Sequence, residues 1–93
     1  MLFCRHMEFW IKIRTGNRYV NLKVVRVSMN REWEIYRILG RDKSILVQSN
    51  RPFLRNVKGL KTVRPEWKLI EGSVRYQSYF EDAIRQIMAE VDK

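Results

Sequence analysis

A strict alternation of apolar and polar residues over positions 7–14 constrains the fold more than any other feature. Apolar side chains occupy the odd positions from Met7 to Ile13, and the even positions are mostly polar, which is the period of a half-buried strand. Gly16-Asn17 then suits a two-residue hairpin loop with glycine first. The loop pairs apolar residues with each other on one face, namely Ile13 with Val20, Ile11 with Leu22 and Phe9 with Val24.

The same register gives the other face of this hairpin a different character. It places aromatic rings, an amide and cations opposite one another, as Arg14 with Tyr19, Lys12 with Asn21 and Trp10 with Lys23. Side chains alternate strictly along a strand, so a shift of one residue would mix the two faces. Because one register separates the apolar side chains from the polar and aromatic ones, the sequence predicts this hairpin.

The alternation slips after Val24, because the next apolar positions are odd instead of even. One extra residue near Val24-Val25, a β-bulge, restores the pattern. Beyond the bulge, Arg26 is expected on the outward face, opposite Glu8 on one side and Glu34 on the other. This arrangement predicts a structural cross-strand charge ladder.

Two further strands, 33–39 and 44–50, are separated by the turn-like residues 40–43. Both strands carry apolar side chains on both faces, which is typical of strands that are covered on both sides. We therefore expect a second covering element there, or a sheet that curls on itself. A fifth strand is predicted at Trp67 and ends at Gly72.

The last part of the chain has helical periodicity. Apolar residues from Tyr76 to Val91 recur at spacings of three and four. Ser78 and Glu81 match a capping box, which predicts a helix over 78–91. The predicted fold is α+β, a curved antiparallel sheet of four to five strands followed by one C-terminal amphipathic helix. Residues 7–93 form a single domain in this prediction, with 1–6 as a frayed extension.

The charge of the chain is strongly basic and unevenly distributed. The formal net charge is +9, and residues 37–68 carry nine Lys or Arg against two acids, whereas residues 69–93 carry three against five. Such asymmetry favours an anionic partner.

Chemical motifs are sparse. Cys4 and His6 are the single cysteine and histidine, too few for a tight metal site, which needs three or four ligands. No phosphate-binding glycine loop or nucleophile–base pair stands out, so we expect a non-enzymatic protein without a cofactor. One cysteine favours a reducing compartment, with the cytoplasm as the expected location. No run of about 18 apolar residues occurs, so no membrane partner is predicted.

The basic stretch 50–67 connects the fourth and fifth strands. Asn50 can cap a helix, Pro52 suits a first helical turn and Gly59 a helix end. A short amphipathic turn is one reading, and an extended edge segment is the other, since proline is also tolerated on sheet edges. The connection is either an ordinary solvated loop or a phosphate-binding arm.

The pattern N-R-P-F-L-R, K-G-L-K and W-K-L-I-E-G over 50–72 resembles a family of small uncharacterised bacterial proteins. The resemblance implies a shared hairpin, connection, strand and terminal helix. It implies no activity.

Two functions are predicted from these observations. The first is binding of single-stranded RNA or DNA through a basic and aromatic sheet face, because bases stack on rings while cations neutralise phosphates. The second is a protein-interaction or homodimeric module that buries the same rings. The candidate nucleic-acid contacts are Trp10, Lys12, Arg14, Tyr19 and Lys23 on the sheet, and Arg51, Arg55, Lys58, Lys61 and Arg64 on the connection.

Overall fold

The computed structural model describes residues 7–56 and 63–91. Five strands form one antiparallel sheet in chain order, and a C-terminal helix follows. The predicted α+β architecture is confirmed. The elements are β1 (Glu8–Thr15), β2 (Arg18–Met29), β3 (Glu34–Leu39), β4 (Ser44–Ser49), α1 (Arg51–Asn56), β5 (Trp67–Glu71) and α2 (Gln77–Val91).

The first hairpin has the predicted register on both faces. Ile11 lies opposite Leu22, and Lys12 lies opposite Asn21. Gly16 has a φ of 65° at the first loop position, a conformation that glycine adopts without the steric penalty of a Cβ atom. The loop chemistry and the two-faced pattern therefore agree with the observed pairing.

The bulge lies farther along β2 than predicted. Pairing with β1 is regular as far as Glu8 opposite Val25, and the register shifts only between Arg26 and Ser28 in the pairing with β3. Val27 is therefore the extra residue. A second shift occurs where Leu46 and Val47 of β4 meet β5.

The predicted charge ladder is wrong, because the later bulge changes the partners of each charge. Arg26 lies opposite Tyr36, which places it on the same side of the sheet as Tyr36 instead of the outward face. Glu8 lies opposite Val25 and pairs with Lys23, with 2.6 Å between Nζ and Oε1. Glu34 lies opposite Met29.

The core lies between one side of the sheet and α2. Val24, Tyr36 and Val47 point from three neighbouring strands towards Ile84 and Ile87 of the helix. Full burial of one such aliphatic side chain contributes about 1.5–3 kcal/mol, so the apolar stripe is what holds α2 on the sheet.

The start of α2 differs from the predicted capping box. The helix begins at Gln77, and the carbonyl of Tyr76 accepts a hydrogen bond from Phe80 N at 3.4 Å. Tyr76 therefore stands at the N-cap, two residues before Ser78, and Ser78 lies within the first turn.

A side chain of α2 also binds the backbone of an edge strand. Gln86 Oε1 accepts from Lys12 N at 2.9 Å, and Gln86 Nε2 donates to Lys12 O at 2.6 Å. The amide thus takes the place of a neighbouring strand at the exposed margin of β1, where free peptide groups would otherwise invite pairing with another chain.

The side of the sheet opposite α2, called the outer face here, is less covered than predicted. Every residue of the main core cluster lies on the α2 side, while apolar residues of β3 and β4 on the outer face, such as Leu39 and Leu46, are only half-buried. Cover on both sides is therefore not found among residues 7–56 and 63–91. Neither described helix is long and apolar enough to cross a membrane.

Candidate nucleic-acid interface

Two aromatic rings project from the outer face of the β1–β2 hairpin. Trp10 is 64% exposed and Tyr19 is 61% exposed. Their neighbours in the strands, Phe9 and Val20, belong to the opposite side, because successive side chains of a strand point to opposite faces. The alternation that buries the core thus presents these two rings to solvent.

Cations lie between and beside the rings. Lys12 Nζ stands 5.4 Å from the centroid of the Tyr19 ring, within cation–π range. Arg14, directly opposite Tyr19, donates from Nε to the Gly16 carbonyl at 3.2 Å. Lys23, opposite Trp10, is the cation that pairs with Glu8.

Two more basic residues share this face and were not predicted. Arg37 lies opposite Val25 on β2 and Leu46 on β4, and Lys68 lies opposite Gln48. Both residues occupy outward positions in the alternation of β3 and β5. The sequence would have identified them as part of this face if the pairing register between the strands had been known. The outer-face positions of the strands carry five basic residues and two acidic ones, which are Lys12, Arg14, Lys23, Arg37 and Lys68 against Glu8 and Glu71.

Arg51 does not join this surface, because it is 6% exposed and belongs to a buried ion pair. Its Nε donates to Glu34 Oε2 at 2.7 Å and its Nη2 donates to Glu34 Oε1 at 3.0 Å. Tyr36 Oη donates to the same Oε1 at 2.9 Å. The carboxylate of Glu34, fully buried, thus accepts three hydrogen bonds, which satisfies a charge that would otherwise be strongly unfavourable there.

This network changes the titration of its members. Burial, followed by the adjacent negative charge of Glu34, raises the pKa of Tyr36 to about 12. Burial alone would lower the pKa of the Arg51 guanidinium, but the hydrogen bonds and charge of Glu34 outweigh burial and raise that pKa above its ordinary value. We therefore assign Arg51 a structural role, which is to hold α1 against the start of β3.

The basic connection between β4 and β5 begins with the short helix α1. Of the two readings of this segment, the helical one holds for α1, where Leu54 N donates to the carbonyl of Asn50 at 3.1 Å. The Asn50 side chain accepts instead from Glu66 N at 2.9 Å, which ties the start of the connection to its end. Arg55 and Arg64 are exposed.

The predicted contacts Lys58 and Lys61 lie outside the described residues, as do Cys4 and His6. The two described halves of the candidate site are at opposite edges of the sheet. Trp10 lies on β1, whereas Arg64 precedes β5, four strands away. At a strand spacing of about 4.8 Å this amounts to roughly 19 Å, so the connection does not flank the rings directly.

The arrangement on the outer face can stack planar groups and neutralise anions at the same time. Exposed rings offer a π surface to any base, and the neighbouring ammonium and guanidinium groups can contact phosphates. Among the described residues no group of three or more His, Cys, Asp or Glu side chains is placed to hold a metal ion.

Comparison with protein-family models, with curated proteins and with solved structures gives no match. The resemblance of residues 50–72 to small bacterial proteins therefore stays a prediction.

Proposed function

We propose that this protein is a non-enzymatic module that binds single-stranded RNA or DNA through the outer face of its sheet. The observation that carries the proposal is the exposure of Trp10 and Tyr19 on the side of the sheet away from α2, with Lys12 and Arg14 beside them. Rings needed only for packing would be expected under the helix, where the core of this domain lies.

Single strands fit this face better than a duplex. Stacking on a side chain requires a base whose flat surface is free, and in a duplex the bases are stacked on each other and paired. Each stacked base contributes about 1–3 kcal/mol, which corresponds to about a 5- to 140-fold effect on affinity. Two rings therefore supply a large part of a micromolar interaction.

The proposal is tested by titrating the protein with fluorescently labelled 12-nucleotide single strands of RNA and DNA at low ionic strength. We expect Trp10→Ala and Tyr19→Ala each to weaken binding about 5- to 140-fold. Matched controls are Trp33→Ala and Tyr76→Ala, because both residues are exposed but lie in the β2–β3 turn and just before α2. Equal losses for the controls and the outer-face variants would contradict the proposal.

Salt provides an independent measurement. If three to five phosphates contact the outer-face cations, the slope of log affinity against log salt for a single strand is about −2 to −3.5. Affinity then falls about 15- to 130-fold between 50 and 200 mM salt. Absence of binding at 20 mM salt would remove the nucleic-acid function.

A second candidate function is a protein-interaction or homodimeric module, and the centre of the outer face favours it. Val25, Ile35, Leu39 and Leu46 are half-buried there, and Ile70 at the β5 edge is 40% exposed. A second copy could cover this apolar strip across a two-fold axis. Sedimentation at micromolar concentration decides, since a monomer at every concentration would remove the homodimer.

A further inference from the structure

We infer that the outer face selects its ligand by length, because Trp10 and Tyr19 are spaced to hold two bases that are separated by one nucleotide. This inference rests on the proposed function and names the smallest strand that can use both rings.

The spacing follows from the register of the first hairpin. Trp10 on β1 lies opposite Lys23, and Tyr19 on β2 lies opposite Arg14. The two rings thus stand at diagonal corners, four residues apart along the strands and one strand apart across them. With a rise of about 3.3 Å per residue and a strand spacing of about 4.8 Å, their positions are roughly 14 Å apart.

This separation is too large for neighbouring nucleotides. Stacked bases of one strand are about 3.4 Å apart along the axis, and even a step stretched to roughly twice that value spans only about half of 14 Å. Two such steps match the distance. The bases on the two rings therefore belong to the first and third nucleotides of a trinucleotide unit.

Lys12 occupies the space between the rings. It lies on β1 between the positions of Trp10 and Arg14, and its Nζ is 5.4 Å from the Tyr19 ring centroid. In the free protein the ammonium group thus shields part of the Tyr19 ring. A strand that bridges both rings brings a phosphate close to Lys12, which can exchange its contact with the ring for the phosphate. Trp10, which is 64% exposed, is open to a single base from the outset.

The inference predicts a step in affinity between two and three nucleotides. We expect unlabelled oligouridylates of one to six nucleotides, titrated against the protein by nuclear magnetic resonance at constant salt, to gain about 5- to 140-fold from dinucleotide to trinucleotide. Each further nucleotide adds less. Tyr19→Ala should abolish the step, so that the trinucleotide binds no more than about twofold more tightly than the dinucleotide, because one ring is left.

Lys12→Met supplies a second arm, because it removes the charge and keeps most of the stem. It should weaken trinucleotide binding by a larger factor than binding of uridine monophosphate, which uses one ring and has no phosphate bridging the two rings. Tyr76→Ala serves as the control variant at all lengths.

The outcomes separate the two proposals. If a 12-nucleotide strand does not bind, the nucleic-acid function itself fails. If the 12-nucleotide strand binds but affinity rises smoothly with length, or Tyr19→Ala weakens every length equally, the function stands and the two-ring spacing is overturned.

Discussion

Breaking the buried ion pair between Arg51 and Glu34 is expected to be the most damaging single change to the stability of this domain. Glu34 is fully buried and accepts two hydrogen bonds from the Arg51 guanidinium at 2.7 and 3.0 Å. Arg51→Met leaves this carboxylate with the Tyr36 hydroxyl as its remaining described donor. An uncompensated buried charge of this kind costs about 3–5 kcal/mol.

The loss is large in relation to the whole. A domain of this length has a free energy of unfolding of about 5–14 kcal/mol, so Arg51→Met alone can remove about a fifth of it or more. Glu34→Gln is the milder variant, because the neutral amide fills the same space and still accepts a hydrogen bond. We expect it to cost about 1–3 kcal/mol.

The double variant Glu34→Leu with Arg51→Met distinguishes the effect of leaving one charge unpaired from the effect of changing the packing. Replacement of both ions by apolar groups of similar volume is often neutral or stabilising, so the double variant should be more stable than Arg51→Met alone. Urea unfolding followed by circular dichroism gives all the free energies, and an unchanged m-value shows that the same structure unfolds.

Arg55→Met is the control, since Arg55 lies on the same helix and is exposed. It should change stability by no more than about 0.5 kcal/mol. The reasoning is refuted if the double variant loses as much stability as Glu34→Leu and Arg51→Met lose when measured singly and added together, because the two side chains would then act independently.

Three more predictions concern single positions. Because the pKa of Tyr36 is raised to about 12 in the folded state, its stabilising contribution is present at neutral pH and is lost as pH rises from 10 through 12; the parent should lose roughly 1–3 kcal/mol more than Tyr36→Phe over this range, and parallel pH profiles would contradict this. Gly72→Ala should lower the free energy of unfolding by about 1–3 kcal/mol, because Gly72 has a φ of 92° and a Cβ there would come within 2.7 Å of an isoleucine methyl group of β4. Gly16→Ala has open space around it and should cost only about 1–2 kcal/mol. Urea midpoints rank the two variants, and the reverse order would be inconsistent with the contact at Gly72. Gln86→Ala should cost about 1–2 kcal/mol and promote concentration-dependent association by uncovering the β1 backbone, with Gln86→Glu intermediate because it can accept from Lys12 but not donate; light scattering that is identical for all three proteins would argue against an edge-protecting role.

The hairpin and the helix were predictable from the sequence because their signals are local. Alternation over 7–14 and a glycine-first loop fix the register between residues that are close along the chain. The stripe of α2 similarly depends on spacings of three and four.

Other features depend on contacts between distant residues and were predicted wrongly or not at all. The bulge at Val27 falls where β2 meets β3, so its position depends on a partner strand and not on the pattern of β2 alone. That one shift moved Arg26 to the α2 side and left Glu34 to pair with Arg51, 17 residues away. The basic stretch that was predicted to be an exposed loop or a phosphate-binding arm thus begins with a buried residue, Arg51.

The hydrogen bonds between Gln86 and Lys12 link α2, on one side of the sheet, to a residue whose side chain lies on the other side. The backbone of Lys12 is fixed by a helix on one side, while its side chain stands between the two rings on the other. A strand held in this way has little conformational freedom before a ligand binds, so less conformational entropy is lost on association. The proposed ligand of the outer face would thus meet a strand that is already held in place by α2.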